Sequence, residues 1–528
     1  MKFRIWIISA MMLCLAVNAA GQDALRDYRF VWDTNPYIQL SNPAAVSLWD
    51  GRMAIAEAGF SKANGELRDI SFSPDSWEVT AGTEAYCRIT DLIAFHGVLE
   101  WQDFAGKDMG GPIMMDPGYN PVGFFESTEE TLGTKKRELY NLGGEIALSP
   151  SRRWGLGLGI NYQAGDQTKV KDPRFSNIWM DLDIDAGVTF RASDAFVLGA
   201  SVGWRNTLEQ VRGHVYGLTD KQYYIYTDKG GFFGTMAELA GDNNEMPEST
   251  ARPMNNDWYT ASLQAVIGGK FSNEVTFAKR SGYYGKRSST TPVFFEYDGI
   301  KAGYKGLLLI PVRNNLHRIA ISARYETLGN DENTIQYSAE PGGNVIVKYP
   351  VDPQHIFDRK ILSAALDYRL CFNTEGGRPA HTLGVRGGWE SMSSTTVIFP
   401  FWRKQAISQI DAEVSWQENI SLGSKTVLTL DAAGNAHFGY GNKKEDGTYA
   451  TTTSTNLMSF DSYLDKHYEF ETATRAGAAF GITYTRAFKD SLAVWVKASD
   501  SFTSLLKAPE FIAGKTRNIF TISLGCNF

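Results

Sequence analysis

Cysteine and proline are scarce in this chain, at four and 18 among 528 residues. Four cysteines exclude a disulfide-stapled scaffold; Cys87, Cys371 and Cys526, past the leader, are odd in number and too widely spaced to imply a bridge. An excess of positive charge is also missing. Lys and Arg number 52 against 59 Asp and Glu, a net −7, which gives no footing for nucleic acid. Beyond the N-terminus no apolar run approaches the ~18 residues of a membrane helix. The seven histidines show no helix-borne zinc spacing, and no Ser/His/Asp group is legible. The expectation is therefore no enzyme, no cofactor and no metal.

What the chain has instead is aromatic residues, 13 % of the total, and 51 glycines. Aromatic-rich, glycine-rich and proline-poor is the composition of a large β-barrel. The N-terminus sets the compartment. Met1-Lys2-Phe3-Arg4 is a short basic start, residues 5–17 are apolar, and Ala19-Ala20-Gly21 offers small residues for cleavage. Residues 1–21 read as a secretory signal peptide. Leu13 ahead of Cys14 is wrong for a lipoprotein box. The mature protein is expected in or beyond the envelope of a Gram-negative cell.

A period of two runs down most of the remainder. Trp154, Leu156, Leu158, Ile160 and Tyr162 share a face, and so do Ile178, Met180, Leu182, Ile184, Ala186, Val188 and Phe190. Successive strand residues point to opposite sides, so each stretch has one apolar and one polar face. The stretches run about 10–15 residues, whereas sandwich strands average five or six and a tilted membrane strand needs about 9–11. Trp101, Trp154, Tyr162, Trp204, Trp389 and Trp416 sit near stretch ends, as interfacial girdles do. The fold class expected is all-β: a large antiparallel transmembrane β-barrel over residues 51–528. Closure follows because an unpaired backbone group in hydrocarbon costs several kcal/mol.

Connections alternate in length. Short turns are expected near residues 90–91, 149–151, 192–194, 268–270, 313–315, 373–378, 418–421 and 489–490. Long ones are expected over 106–136, 166–177, 209–257, 281–291, 328–356, 393–403 and 440–466. Short periplasmic turns and long external loops are the outer-membrane pattern, and counting hairpins gives about 18 strands, with 14 or 16 open as alternatives. The count leans on the weak segments 52–73 and 292–312.

Residues 22–50 lack a strand period and hold two turn-favouring steps, Asn35-Pro36 and Asn42-Pro43. They read as a periplasmic leader or as a plug in the lumen. The chain ends RNIFTISLGCNF, with Phe520, Ile522, Leu524 and Phe528 on one face. That final strand looks like the signal read by the barrel-assembly machinery. The stretch NPYIQLSNPAAVSLWDG, the closing SLGCNF and the Gly/Tyr/Trp strands between resemble an uncharacterised outer-membrane barrel family of the Bacteroidota. Ser41-Asn42-Pro43-Ala44-Ala45 is similar to the N-terminal box of the long-chain fatty-acid transporter family and its type IX secretion relatives. In the fatty-acid transporters this segment folds into the barrel as a hatch, which implies a plug role for Asn42 and Pro43.

The polar faces define candidate lumen-lining residues: Asp181, Asp183, Asp185, Arg153, Arg205, Arg324, Arg386, Glu390, Asp411 and Glu413. Such mixed charge reads as a solvated ladder, or as a constriction that selects solutes by charge. Asp181, Asp183 and Asp185 cannot converge on one ion, because alternate residues of a strand lie about 6.6–7 Å apart. Two external stretches are unusually apolar. One carries Met114, Met115, Phe124 and Phe125, and the other Tyr223, Tyr224 and Tyr226. Each folds into the lumen, docks on a partner or captures a ligand. The reading that results is a channel or passive transporter for small solutes, hydrophobic ones included. The alternative is an accessory barrel that partners a TonB-dependent transporter or surface lipoprotein. Outer-membrane lipid and the assembly machinery are its other expected partners.

Overall fold

In the computed structural model the alternating stretches pair with their chain neighbours and the ring closes on itself. The structure describes residues 25–217, 220–239, 252–286, 292–339, 346–451, 458–489 and 492–528; the signal-peptide expectation, residues 1–21, lies outside them. In chain order the strands are β1 (Met53–Asn64), β2 (Asp75–Arg88), β3 (Ile93–Met109), β4 (Gly123–Glu126), β5 (Gly133–Leu148), β6 (Trp154–Val170), β7 (Arg174–Ser193) and β8 (Phe196–His214). There follow β9 (Tyr224–Asp228), β10 (Phe233–Glu238), β11 (Arg252–Ile267), β12 (Phe271–Gly285), β13 (Val293–Val312), β14 (Asn315–Ala339) and β15 (Ile346–Phe372). The last are β16 (His381–Ile398), β17 (Phe401–Gly423), β18 (Thr426–Thr448), β19 (Met458–Ser459), β20 (Arg475–Lys489), β21 (Leu492–Leu505) and β22 (Thr516–Asn527). All but β4, β9, β10 and β19 form one 18-stranded antiparallel sheet, in which β1 pairs with both β2 and β22. The count is thus 18, not 14 or 16, and the weak segments hold β1 and β13.

The register assigns the faces. Leu158 lies opposite Ala186, Ile184 opposite Trp204, and Val202 opposite Ala261. This face looks outward: Val202 is 61 % exposed, Phe480 65 % and Leu263 69 %. An apolar belt of this extent has no place in water. Asp183 lies opposite Arg205, and Arg205 opposite Trp258, on the inner face.

The strands are longer than the period of two implies, up to 27 residues in β15. Three expected long connections are largely strand. The 166–177 connection shrinks to 171–173 and 393–403 to 399–400, and in 328–356 the described residues 328–339 and 346–356 are strand. Pairing continues past the apolar belt, where both faces are polar and the alternation that marks a strand in sequence vanishes. The turn expected at 418–421 falls instead at 424–425, because polar Asn419 and Ser421 still pair with β18 through Thr429 and Val427. Elsewhere among the described residues the short turns stand where turn chemistry puts them; the one expected at 489–490 reaches outside those residues. Gly268 and Gly269 carry φ of 61° and 64°, a backbone that side-chain-bearing residues rarely adopt.

Candidate functional site

The barrel interior is occupied at both ends by the chain's own segments. At the short-turn end residues 25–50 cross the lumen. The helix α1 (Tyr28–Asp33) begins at Asp27, whose side chain accepts from the Phe30 amide. The Asp27 amide donates to Gly377 O and Arg378 Nε donates to Leu25 O at 2.6 Å, fixing the start to the 373–380 turn. Further on, Arg318 donates to Asp33 O at 2.8 Å and Arg369 to the Asp33 carboxylate at 2.5 Å. Asn35, buried beside buried Pro36, accepts from the amides of Tyr37 and Ile38 and turns the chain. Trp32 and Trp49 then pack on Tyr86, which stacks on His96 at 3.9 Å.

Asn42 is the pivot of this segment. Its Oδ1 accepts from the Ala44 amide and caps a 3-10 helix, Pro43–Leu48; its Nδ2 faces Val188 O, Ala200 O and Gln264 Oε1 at 3.0–3.2 Å. Pro43 opens the helix, where its missing N–H costs nothing. The helix lies on inner-face glycines of β6 and β7. A Cβ on Gly157 would stand 2.2 Å from Ala44 N, and one on Gly187 2.0 Å from Asn42 Oδ1. The glycines of the alternating β6 sequence are therefore the floor on which residues 42–47 rest.

The opposite end carries a cap. β4, β9, β10 and β19 make a four-stranded sheet, joined by the helix α2 (Asp461–Thr472). Ile113, Met114, Val122, Phe124 and Ile225 enter a dry cluster with inner-wall Met254, Tyr284, Phe295, Tyr297, Leu328 and Phe357. Phe125, Tyr226, Phe232, Tyr463 and Leu464 form a second cluster, in which Tyr226 stacks on Phe460 at 4.6 Å. Polar bonds tie the cap to the wall around its circumference. The Met115 amide donates to Glu209 at 2.8 Å, Arg359 to Gly118 O at 2.7 Å, and Thr396 to Gly230 O at 2.8 Å. Arg403 donates to the carbonyls of Gly231 and Phe232 and to Asp446. Lys169 and Glu126 pair at 2.5 Å, both fully buried.

Of the three destinations expected for these stretches, the contacts correspond to folding into the lumen. Met114, Phe124, Phe125 and Tyr226 are at most 5 % exposed and make the cap's own core; Met115 is half-buried and Tyr223 packs against the first cluster. Tyr224 alone of the seven stays exposed, at 38 %. Burying the apolar side chains inside the barrel removes the cost that made them look like contact residues.

Nine of the ten lumen candidates share the inner face, brought into register by the strand pairing. Asp181 accepts from Arg205 Nε and Nη2 at 2.8 and 2.5 Å, Glu390 from Arg324 at 2.9 Å, and Asp411 faces His437 at 2.8 Å. Asp185, Arg386 and Glu413 line the same face without a side-chain hydrogen bond among the described residues, and Asp183 accepts from the Ile184 amide. Arg153 is the exception: it lies in the 149–153 turn, exposed, outside the strand. Several inner-face charges were not singled out from sequence, among them Glu57, Glu84, Glu100, Lys301, Lys305 and Arg359. Their strands carry weaker alternation, and only the register reveals their side.

Among the described residues one trio could hold a metal ion. His467 Nδ1 and carboxylate oxygens of Asp69 and Glu471 lie within 4.8 Å of one another. Burial pulls the His467 imidazole down, but the Asp69 and Glu471 carboxylates outweigh it and raise it above the ordinary value. His467 lies 3.1 Å from Asp69 and 4.0 Å from Glu471, so the trio joins α2 to the 65–74 loop. In the cap, burial pushes Asp228 up to about 6, against the amides of Gly230 and Phe233 that bond its charged form.

A family model matches residues 43–528, from the pivot's proline to the last residue. The chain belongs to the family of unknown function DUF6850. No curated protein matches it in sequence. In shape the DUF6850 barrel is similar to BauA, the ferric preacinetobactin receptor of Acinetobacter baumannii, at 9 % identity and a TM-score of 0.41, covering 91 % of this chain and 80 % of that one. It is similar also to the outer membrane transporter YddB of Escherichia coli, at 8 % and 0.39, covering 91 % and 81 %. A third is a FadL homologue of Pseudomonas aeruginosa, at 13 % and 0.30, covering 94 % of each chain.

Proposed function

We propose that this chain is an integral outer-membrane barrel that passes small polar solutes through a lumen closed in the conformation described. The observation that carries the reading is a charged interior held between two closures that the chain itself supplies. The outward belt of Val202, Leu263 and Phe480 belongs in hydrocarbon, and no sheet edge is left unpaired there. Between the closures the wall is polar, with cavities of about 340 and 380 Å³ beside charged side chains. A hydrophobic solute would meet those charges without compensation, which narrows the class to polar ones. On this reading residues 1–21 direct export, and β22 is the strand offered to the assembly machinery.

The test is solute entry into proteoliposomes carrying the full chain, with planar-bilayer recordings beside it. Wild type is expected to admit small polar solutes with rare conductance steps. Gly157→Val, which cannot seat residues 43–44, is expected to step far more often. The second reading, a non-transporting accessory barrel, is favoured by the density of bonds between cap and wall. Silence from both proteins, together with co-purification of another envelope protein, would establish that second reading and end the first.

A further inference from the structure

The inner-face charges are not mixed evenly around the ring. Two arcs that face each other across it carry net charge of opposite sign. β1 to β7 contribute Glu57, Glu84, Glu100, Glu145, Asp183 and Asp185 at mid-height. The cations of this arc lie toward its ends: Lys135, Arg137 and Lys169 under the cap, Arg88 at the N-terminal segment. His96, held between Glu84 and Glu145 at 2.9 and 3.1 Å, offsets the middle, as does Arg205 of β8 opposite Asp183. β12 to β16 contribute Arg280, Lys301, Lys305, Arg318, Arg324, Arg359, Arg369 and Arg386, and these cations outnumber the acids Glu274, Glu326, Asp367 and Glu390 on the same face. In the order of the closed sheet these arcs occupy nearly opposite sides.

Charges left unpaired within each arc point to a solute. Glu57 and Asp185 have no side-chain hydrogen bond or ion pair among the described residues, and neither do Lys301 and Arg386; Asp183 accepts from the Ile184 amide and lies opposite Arg205. Arg324 and Arg359 each keep a buried Nε without an acceptor. In front of Arg386 the lumen is open. A Cβ on Gly388, which shares its face with Arg386 and Glu390, would meet nothing within 4 Å. The basic arc borders the cavity of about 340 Å³, lined by Lys305, Arg318, Arg369 and Arg386 with Asp33, Glu274 and Asp367, and the acidic arc borders that of about 380 Å³, lined by Glu57 and Glu100.

We propose that the lumen selects small zwitterions, molecules that carry an ammonium and a carboxylate at once, by aligning them across a transverse field between these two arcs. Opposed charges set in low-dielectric walls focus field lines across the opening. Water there is oriented, and a neutral solute displaces it without repaying the lost interaction. A lone anion or cation is drawn to one arc and repelled by the other. A zwitterion satisfies both, with its ammonium toward Asp183, Asp185 and Glu57 and its carboxylate toward Lys301, Arg324 and Arg386.

The inference rests on the transport reading, and the test separates the two. Full-chain proteoliposomes are challenged with glycylglycine, with arabinose as a neutral solute of similar size, and with acetate. Glycylglycine is expected to enter about tenfold faster than arabinose, a ratio in the range that focused fields produce. Neutralising one arc, by Asp183→Asn with Asp185→Asn or by Lys301→Met with Arg386→Gln, is expected to bring the ratio to about one, glycylglycine slowing and arabinose quickening as the oriented water is released. Neutralising the acidic arc is expected to speed acetate. Equal entry of glycylglycine and arabinose into wild-type vesicles would overturn the zwitterion inference and leave transport standing. Entry of no solute at all would overturn the transport reading itself. Heat-modifiable gel mobility of each variant confirms that the barrel has folded.

Discussion

Asn42 is the residue on which the short-turn closure depends, because one carboxamide satisfies a helix cap, two wall carbonyls and the Gln264 side chain. Asn42→Ala leaves those partners facing one another without a mediator and is expected to cost about 1–3 kcal/mol, the usual penalty of orphaned buried polar groups. Faster proteolysis of residues 25–50 in an otherwise intact barrel is the measurement. Gly157→Val acts differently. Its Cβ meets backbone atoms, Ala44 N at 2.2 Å and Pro43 C at 2.4 Å, which cannot swing aside as a side-chain tip does. Residues 42–47 are expected to leave the wall while the heat-modifiable mobility of the barrel is kept. The Asn-Pro steps marked this segment in the sequence, since they forbid helix and favour turns. The glycines beneath it were visible only as the small half of an alternating strand; that they floor a docking site became legible once the register set them against Ala44.

At the scale of elements, the cap is the part the sequence concealed most. Its apolar side chains were plain, yet their destination was not, because β4, β9, β10 and β19 are short and pair with segments far away in the chain. The Lys169–Glu126 pair holds the cap to β6, and Lys169 also donates to Pro173 O. Lys169→Met leaves a buried carboxylate without its counter-charge and is expected to cost about 3–5 kcal/mol; removing both, with Glu126→Leu, is expected to cost less. Thermal melting of the two variants side by side measures this. The cap is also expected to loosen as pH rises. Asp228 has its folded value raised from 3.8 to about 6, so its contribution is full below 3.8 and is lost as pH climbs through 6. His467 is raised above 6.5, so its link with Asp69 and Glu471 is full below 6.5 and is lost on passing its folded value. Faster hydrogen exchange at Tyr226 and Leu464 between pH 4 and pH 9, beyond the intrinsic base-catalysed increase, is the expected result.

For the whole molecule, the period of two carried the fold class and the strand count, because a bilayer forces every spanning residue to declare a side. Where strands continue beyond the apolar belt that pressure lapses, and the ends of β14 and β15 read as loop. The charge pattern behaves likewise. Single acids and bases were legible, but their segregation into arcs is a property of the ring order and exists in no single strand. Seating the β4–β9–β10–β19 lid demands that hairpins hundreds of residues apart have already been set around a common rim. It can therefore arrive only after the hoop is joined, much as a stopper waits for its bottle. Protection at the Tyr226–Phe460 stack should appear later in refolding than protection along the β1–β22 seam.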